Sequence, residues 1–201
     1  MPELPEVQAH VERLSRPVAD GGFAGAILSG FTPITFTALK TALPAPTEAV
    51  GRPLARVDRR GKFLLLHFDG WDAATAATTT AAEAAAATSD LTFVVHLMQG
   101  GRLVPDAAQS ARPRNGIARW TFDDGPALLL TEAGKERKAG VWVVAGDPLT
   151  QPPLDDLGID ADAVTRDQLA TALRAKGTRL HTFLRDQHGI AGKGVDELDQ
   201  T

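Results

Sequence analysis

A chain of 201 residues, 43% of them hydrophobic, can hold one large domain or one and a half around a sizeable core, which excludes a disordered tail. With no cysteine it can form neither a disulfide nor a thiolate zinc site, and its five scattered histidines lack metal-ligand spacing, so no metal and no other cofactor is expected. The formal net charge of -4 argues mildly against a nucleic-acid partner, yet the cations cluster, with Arg52, Arg56, Arg59, Arg60 and Lys62 in one stretch and Lys135, Arg137 and Lys138 in another.

The chain opens Met1-Pro2-Glu3-Leu4-Pro5-Glu6. If Met1 is removed, Pro2 becomes an N-terminal secondary amine, and an α-amino group is partly neutral and nucleophilic near neutral pH. It can attack a sugar C1′ or a carbonyl to form an iminium, with Glu3 beside it as proton donor. The same string also suits a helix start, with Pro5 in the first turn and Glu3 and Glu6 at the positive dipole end. Val7, Val11 and Leu14 then recur at helical spacing, which predicts an amphipathic helix over 7–18, ended by Gly21, Gly22 and Gly25.

From Ala26 the pattern changes to short apolar runs bounded by Gly, Pro and Asp. They predict strands over 26–31, 54–59, 63–68, 91–97, 117–122, 127–131 and 141–145, with Asp123-Asp124-Gly125 as a hairpin turn. Many short strands with close turns predict an antiparallel sandwich. An Ala/Thr tract, 71–90, interrupts it as an inserted connection with no large side chains to pack. The pair Pro152-Pro153 and the acidic Asp155-Asp156 mark a linker, after which 166–175 and 178–185 read as helices. No apolar run is long enough to span a bilayer, and the N-terminus has no basic region followed by an apolar stretch, so neither a membrane nor a secretory route is expected.

The string Met-Pro-Glu-Leu-Pro-Glu-Val resembles the opening of the formamidopyrimidine-DNA glycosylase and endonuclease VIII family, and further segments resemble the family in the same order. Arg59-Arg60-Gly61-Lys62-Phe63-Leu64-Leu65-Leu66 is similar to its basic turn leading into a core strand. His96-Leu97-Met98-Gln99-Gly100-Gly101-Arg102-Leu103 is similar to its strand and turn carrying a wedge residue. Leu130 to Trp142, with Lys135, Arg137 and Lys138, resembles a divergent, actinobacterial-type form of its basic loop. Leu184 to Gly194 resembles the helix and glycine turn of its helix-two-turn-helix domain.

The resemblance implies an α+β fold, an N-terminal helix plus an antiparallel β-sandwich over 1–150, followed by an incomplete helical domain of helix-two-turn-helix type over 151–201, with no zinc finger. It implies a base-excision-repair glycosylase and AP lyase that removes oxidised bases from double-stranded DNA in a bacterial cytoplasm, nucleoid-associated and monomeric. Pro2 would be the Schiff-base nucleophile, Glu3 the acid, Lys62 the cation assisting elimination at a phosphate, and Glu6 an aid to positioning. DNA contacts are implied for His96, which could also cap its strand, for Met98 or Gln99 as the wedge, for Arg137 and Lys138 at the orphaned base, and for Lys176, Gly192 and Gly194 at phosphate. Base extrusion calls for such a plug, because the unstacked duplex needs new contacts. Two other readings remain: a non-catalytic DNA-binding or regulatory relic of the family, and a tautomerase using Pro2 as a base.

Overall fold

The computed structural model describes residues 3–69, 90–177 and 179–192, with the side chains of His181 and Arg185 excepted. Pro2, Gly194 and nearly all of the Ala/Thr tract lie outside the described residues. Helix α1 is Leu4–Leu14. It starts three residues earlier than the periodicity predicts, because Pro5 in its first turn has no N–H to leave unbonded, and it stops at Ser15, two residues before Pro17.

Eight strands follow: β1 (Leu28–Pro33), β2 (Leu54–Arg60), β3 (Phe63–Phe68), β4 (Leu91–His96), β5 (Gly101–Asp106), β6 (Gly116–Phe122), β7 (Ala127–Glu132) and β8 (Gly140–Ala145). They form two four-stranded antiparallel sheets, ordered β1-β6-β7-β5 and β2-β3-β4-β8. The turn at Asp123-Asp124-Gly125 joins β6 to β7, with Gly125 at φ 86 as a left-handed turn residue. Strand β5 is absent from the sequence expectation. Its Pro105 and Asp106 weaken a strand signal, and an edge position tolerates both.

The sheets close on one core. Leu64, Leu66, Phe68, Phe93 and Val95 from one meet Leu103, Trp120, Leu128 and Leu130 from the other. Ring contacts bridge the layers, with Phe93 to Trp120 at 5.9 Å and Phe31 to Phe93 at 5.3 Å, and others join neighbours within a sheet, with Phe31 to Trp120 at 5.1 Å and Phe68 to Phe93 at 5.4 Å. Helix α1 lays Val7 and Leu14 against this core and packs on β2 and β3. The outer face of β3, β4 and β8 is covered as well, since Leu65, Val94 and Val144 pack with Leu154. Burial on both faces is why β3 and β4 read as continuous apolar runs instead of alternating ones.

Beyond the sheets come a two-residue strand β9 (Ile159–Asp160), helix α2 (Arg166–Ala175), helix α3 (Leu180–Arg185) and strand β10 (Ile190–Ala191), which pairs with β9 in parallel. Thr165 caps α2 and forms a capping box with Gln168. Phe183 of α3 and Ile190 are buried, so this segment has its own apolar contacts. Among the described residues no helix is long and apolar enough to cross a membrane.

Candidate functional site

Three connections meet at one end of the sandwich. The β2–β3 hairpin turns at Gly61-Lys62, β4 leaves its sheet for β5 through 97–100, and β7 crosses back to β8 through 133–139. Register holds them together, because Phe63 pairs with His96, His96 with Gly140, and Gly101 with Glu132. At the tightest point a side chain on Gly101 would stand 2.1 Å from the Leu97 carbonyl oxygen, so only glycine closes that turn. The 133–139 loop is pinned by Glu132, 1% exposed, whose carboxylate accepts the Ala139 N–H at 2.7 Å.

The start of α1 reaches the same end. A groove of about 610 Å³ runs between α1 and the 99–102 segment, lined by Glu3, Glu6, His10, Arg13, Gln99 and Arg102 among others. Glu3 is half-buried at the N-cap, and its Oε1 is buried without a hydrogen bond among the described residues. An acceptor in that condition carries a desolvation cost of about 1–3 kcal/mol that a bound donor would offset. Glu6, one turn on, is exposed on the same wall.

Lys62 is only 5% exposed, so it is held inside the rim and not displayed as a surface cation. Its charge reaches His96. Burial first, and the Lys62 ammonium second, push the imidazole down to about 4, so His96 is neutral at physiological pH. Its Nδ1 accepts the Met98 N–H at 3.1 Å, which leaves the ring proton on Nε2. His96 therefore caps the end of its own strand through Nδ1, and its Nε2–H takes no part in that cap.

The two wedge candidates separate. Met98 is half-buried in a left-handed conformation, φ 52, whereas Gln99 is exposed and lines the groove. A left-handed methionine is uncommon, and the turn it builds aims the next side chain outward. Gln99 is thus the residue presented at the rim. Arg137 and Lys138 are exposed on the neighbouring loop; Arg137 donates to Asn115 Oδ1 at 3.2 Å, and Lys138 pairs with Glu136 at 2.7 Å.

In the basic stretch that leads to Lys62, the arginines are paired within the chain. Arg60 donates to the carbonyls of Leu157 and Gly158 at 3.2 and 2.6 Å and pairs with Asp160 at 2.9 Å, while Arg59 pairs with Asp162 and donates to Gln8. Asp160 also accepts the Gly61 N–H at 2.7 Å. Arg56 pairs with Asp58 at 2.7 Å, beside a buried His67 that meets the same carboxylate at 3.3 Å. Arg59 and Arg60 tie the Lys62 turn to the segment after the sandwich, an outcome that sequence could not distinguish from a phosphate-facing stripe.

Gly192 sits on that turn. It is buried at φ 93, a side chain there would meet Leu4 Cδ1 at 2.9 Å, and its N–H donates to Gln187 Oε1 at 2.9 Å. The N–H expected to approach a phosphate is thus bonded within the chain in this structure. Close packing of Leu4 against a residue without Cβ is what the glycine permits. Lys176, at the end of α2, pairs with Asp186, whose carboxyl is held below its ordinary value by that contact. Sequence reasoning missed His10 and Arg13 on α1 and Arg102 on β5, which carry no shared motif. Among the described residues no group of three or more His, Asp or Glu could hold a metal ion.

The model of the formamidopyrimidine-DNA glycosylase N-terminal domain matches residues 1–141. Curated relatives include formamidopyrimidine-DNA glycosylase of Nocardia farcinica, 29% identical over all of this chain and 66% of the relative, and that of Heliobacterium modesticaldum, likewise 29% identical over all of this chain and 66% of the relative. The chain thus spans just under two thirds of the length of the relatives it matches. In fold it is similar to the Lactococcus lactis Fpg (MutM) protein solved with an N7-benzyl-Fapy-dG DNA, at TM-score 0.74 and 18% identity over 98% of this chain and 65% of that one. MutM (Fpg) of Thermus thermophilus superposes at TM-score 0.69 with 24% identity, over 96% of this chain and 60% of that one. With the family model covering more than half of its length, the chain belongs to the formamidopyrimidine-DNA glycosylase family through its N-terminal domain.

Proposed function

We propose that the chain is a bifunctional DNA glycosylase and AP lyase acting on oxidised bases in double-stranded DNA. The observation that carries this reading is the Glu3 carboxylate, with one oxygen buried and unbonded among the described residues, at the wall of a groove whose opposite rim is Gln99 to Arg102. An unsatisfied acceptor on the residue that follows Pro2 is poorly explained by stability alone. We read 1–150 as the catalytic sandwich and 151–201 as the first part of a helix-two-turn-helix domain.

In the proposed reaction, which takes place on the chain from which Met1 has been removed, the Pro2 nitrogen attacks C1′ as the bond from C1′ to the base breaks, and Glu3 delivers a proton to the departing base and then to the opening ring oxygen. The amine proton is lost, and the nitrogen lone pair then forms the C1′–N double bond as the C1′–O4′ bond breaks with its electrons passing to O4′, which takes a proton; an open-chain sugar held as an iminium results. That cation acidifies C2′; the C2′ proton leaves, its electron pair forms the new double bond, and the 3′ phosphate departs with the C3′–O electrons. Lys62 acts as a fixed cation near the departing phosphate, and Glu6 helps to orient the arm. Gln99 fills the stack where the base has left, and Arg137 and Lys138 face the partner strand.

The test is borohydride trapping on duplexes with an abasic site or an oxidised base, using protein whose N-terminus has been verified by mass spectrometry. A covalent adduct mapped to Pro2 is expected. Its absence from processed, folded protein overturns the lyase reading. A second reading, a DNA-binding relic without chemistry, is favoured by the internal pairing of Arg59, Arg60, Lys138 and Lys176, which leaves fewer cations for phosphate. Salt-dependent duplex affinity without an adduct would identify it.

A further inference from the structure

The groove is electrically divided. Glu3 and Glu6 occupy one half, and His10, Arg13 and Arg102 the other. Arg102 stands exposed on β5, and its guanidinium makes no hydrogen bond or ion pair among the described residues. Arg13 uses its Nη2 group to donate to the Leu103 carbonyl and to His10 Nδ1, the latter at 2.8 Å, and its Nη1 and Nε donors make no hydrogen bond among the described residues. This fixes the guanidinium against the groove with donors to spare, and it leaves the His10 proton on Nε2.

We infer that the cationic half of the groove is a phosphodiester subsite, where Arg102 and Arg13 hold a backbone phosphate of the DNA strand whose reacting sugar lies at Glu3. The inference rests on the proposed glycosylase reading for the identity of that strand. Ten helical residues from Glu3 to Arg13 span roughly 15 Å, about four nucleotides of axial rise along a B-form strand. An anion there meets one preorganised guanidinium and one mobile one, the pairing that positions backbone without reading sequence.

The field of the site supports this. His10 is pushed down to about 4, by burial first and then by Arg13 and Arg102, with Glu6 opposing. A bound phosphate would neutralise that field, so His10 reports on occupancy. The experiment follows the His10 ring protons by NMR against pH in wild-type protein and in Arg102→Gln, with and without inorganic phosphate. It then measures the salt dependence of affinity for a duplex carrying an abasic-site analogue.

Phosphate is expected to raise the His10 pKa by about one unit in the wild type and by less in the variant. The log–log salt slope for the duplex should shallow by about 0.9 in Arg102→Gln, one phosphate contact's worth. A His10 that responds to neither phosphate nor duplex, or an unchanged salt slope, overturns the subsite. An Arg102-dependent slope in protein that yields no borohydride adduct keeps the subsite and removes the lyase reading, whereas an adduct with an unchanged slope does the reverse.

Discussion

Replacing Asp160 by alanine would remove in one step the acceptor of the Gly61 N–H at 2.7 Å, the partner of Arg60 at 2.9 Å and a longer contact to Arg59 at 3.7 Å. The Asp160 side chain is 16% exposed, so screening is partial. A hydrogen bond to a charged group contributes about 1.5–3 kcal/mol, and orphaning a buried ion about 3–5 kcal/mol. The upper figure does not apply, because Arg60 keeps two carbonyl partners and Arg59 keeps Asp162 and Gln8. The Gly61 N–H and the lost Arg60 pair therefore set the cost, at about 3 kcal/mol. In a chain of this size that lowers the melting temperature by roughly 6–12 °C. Asp160→Asn keeps an acceptor for Gly61 and loses the charge, so its cost should be about half. Differential scanning calorimetry at low and high salt separates the two. An Asp160→Ala melting temperature within a degree or two of wild type, or an Asn variant as costly as Ala, would refute the assignment of this carboxylate as the anchor of the Lys62 turn.

Other outcomes follow from the rim. His96 has a folded value near 4, below the ordinary 6.5, so its contribution to stability is present above pH 6.5 and is lost as pH falls toward 4. Up to about 3 kcal/mol disappears across that window, and denaturation curves for His96→Gln should be correspondingly flatter there. Gln99→Ala should leave the melting temperature unchanged within the scatter of exposed substitutions, about 0.5 kcal/mol, while weakening affinity for an abasic duplex; Met98→Ala should do the opposite. Glu132→Ala strands the Ala139 N–H in a buried site and should cost about 2 kcal/mol, with faster amide exchange across 133–139. Glu3→Gln should slow base release by at least about a hundredfold in single-turnover assays while a pre-formed abasic site still traps at Pro2.

Periodicity and turn chemistry made most of the sandwich legible. Strand β3 was readable to the residue because it is apolar on both faces, and α2 because Thr165 and Gln168 form its capping box. Strand β5 was hidden by Pro105, which is compatible only with an edge. The charge pattern was readable as clusters, but not in its direction. Arg59 and Arg60 have their partners about a hundred positions away, at Asp160 and Asp162, and no local rule relates such separations. The same distance hid the grouping of His10 and Arg13 on α1 with Arg102 on β5, since each alone reads as an ordinary surface residue. Motif resemblance located Glu3, Lys62 and the 97–101 turn, and geometry then separated Gln99 from Met98.

The parallel pairing of β9 with β10 has a consequence for how the chain comes apart. It fastens residues 159 and 190 side by side at the base of the excursion that contains α2, with the Ala161 N–H bonded to the Ala191 carbonyl at 2.9 Å. Helix α2 has no fully buried residue. Its last turn can therefore fray, exchange its amides and be nicked by a protease while the clasp below stays shut, and the damage need not propagate into the sandwich. Opening the clasp instead releases Asp160 from Gly61 and Gly192 from Leu4 together, so the rim around Lys62 loosens only when the stronger of the two units gives way.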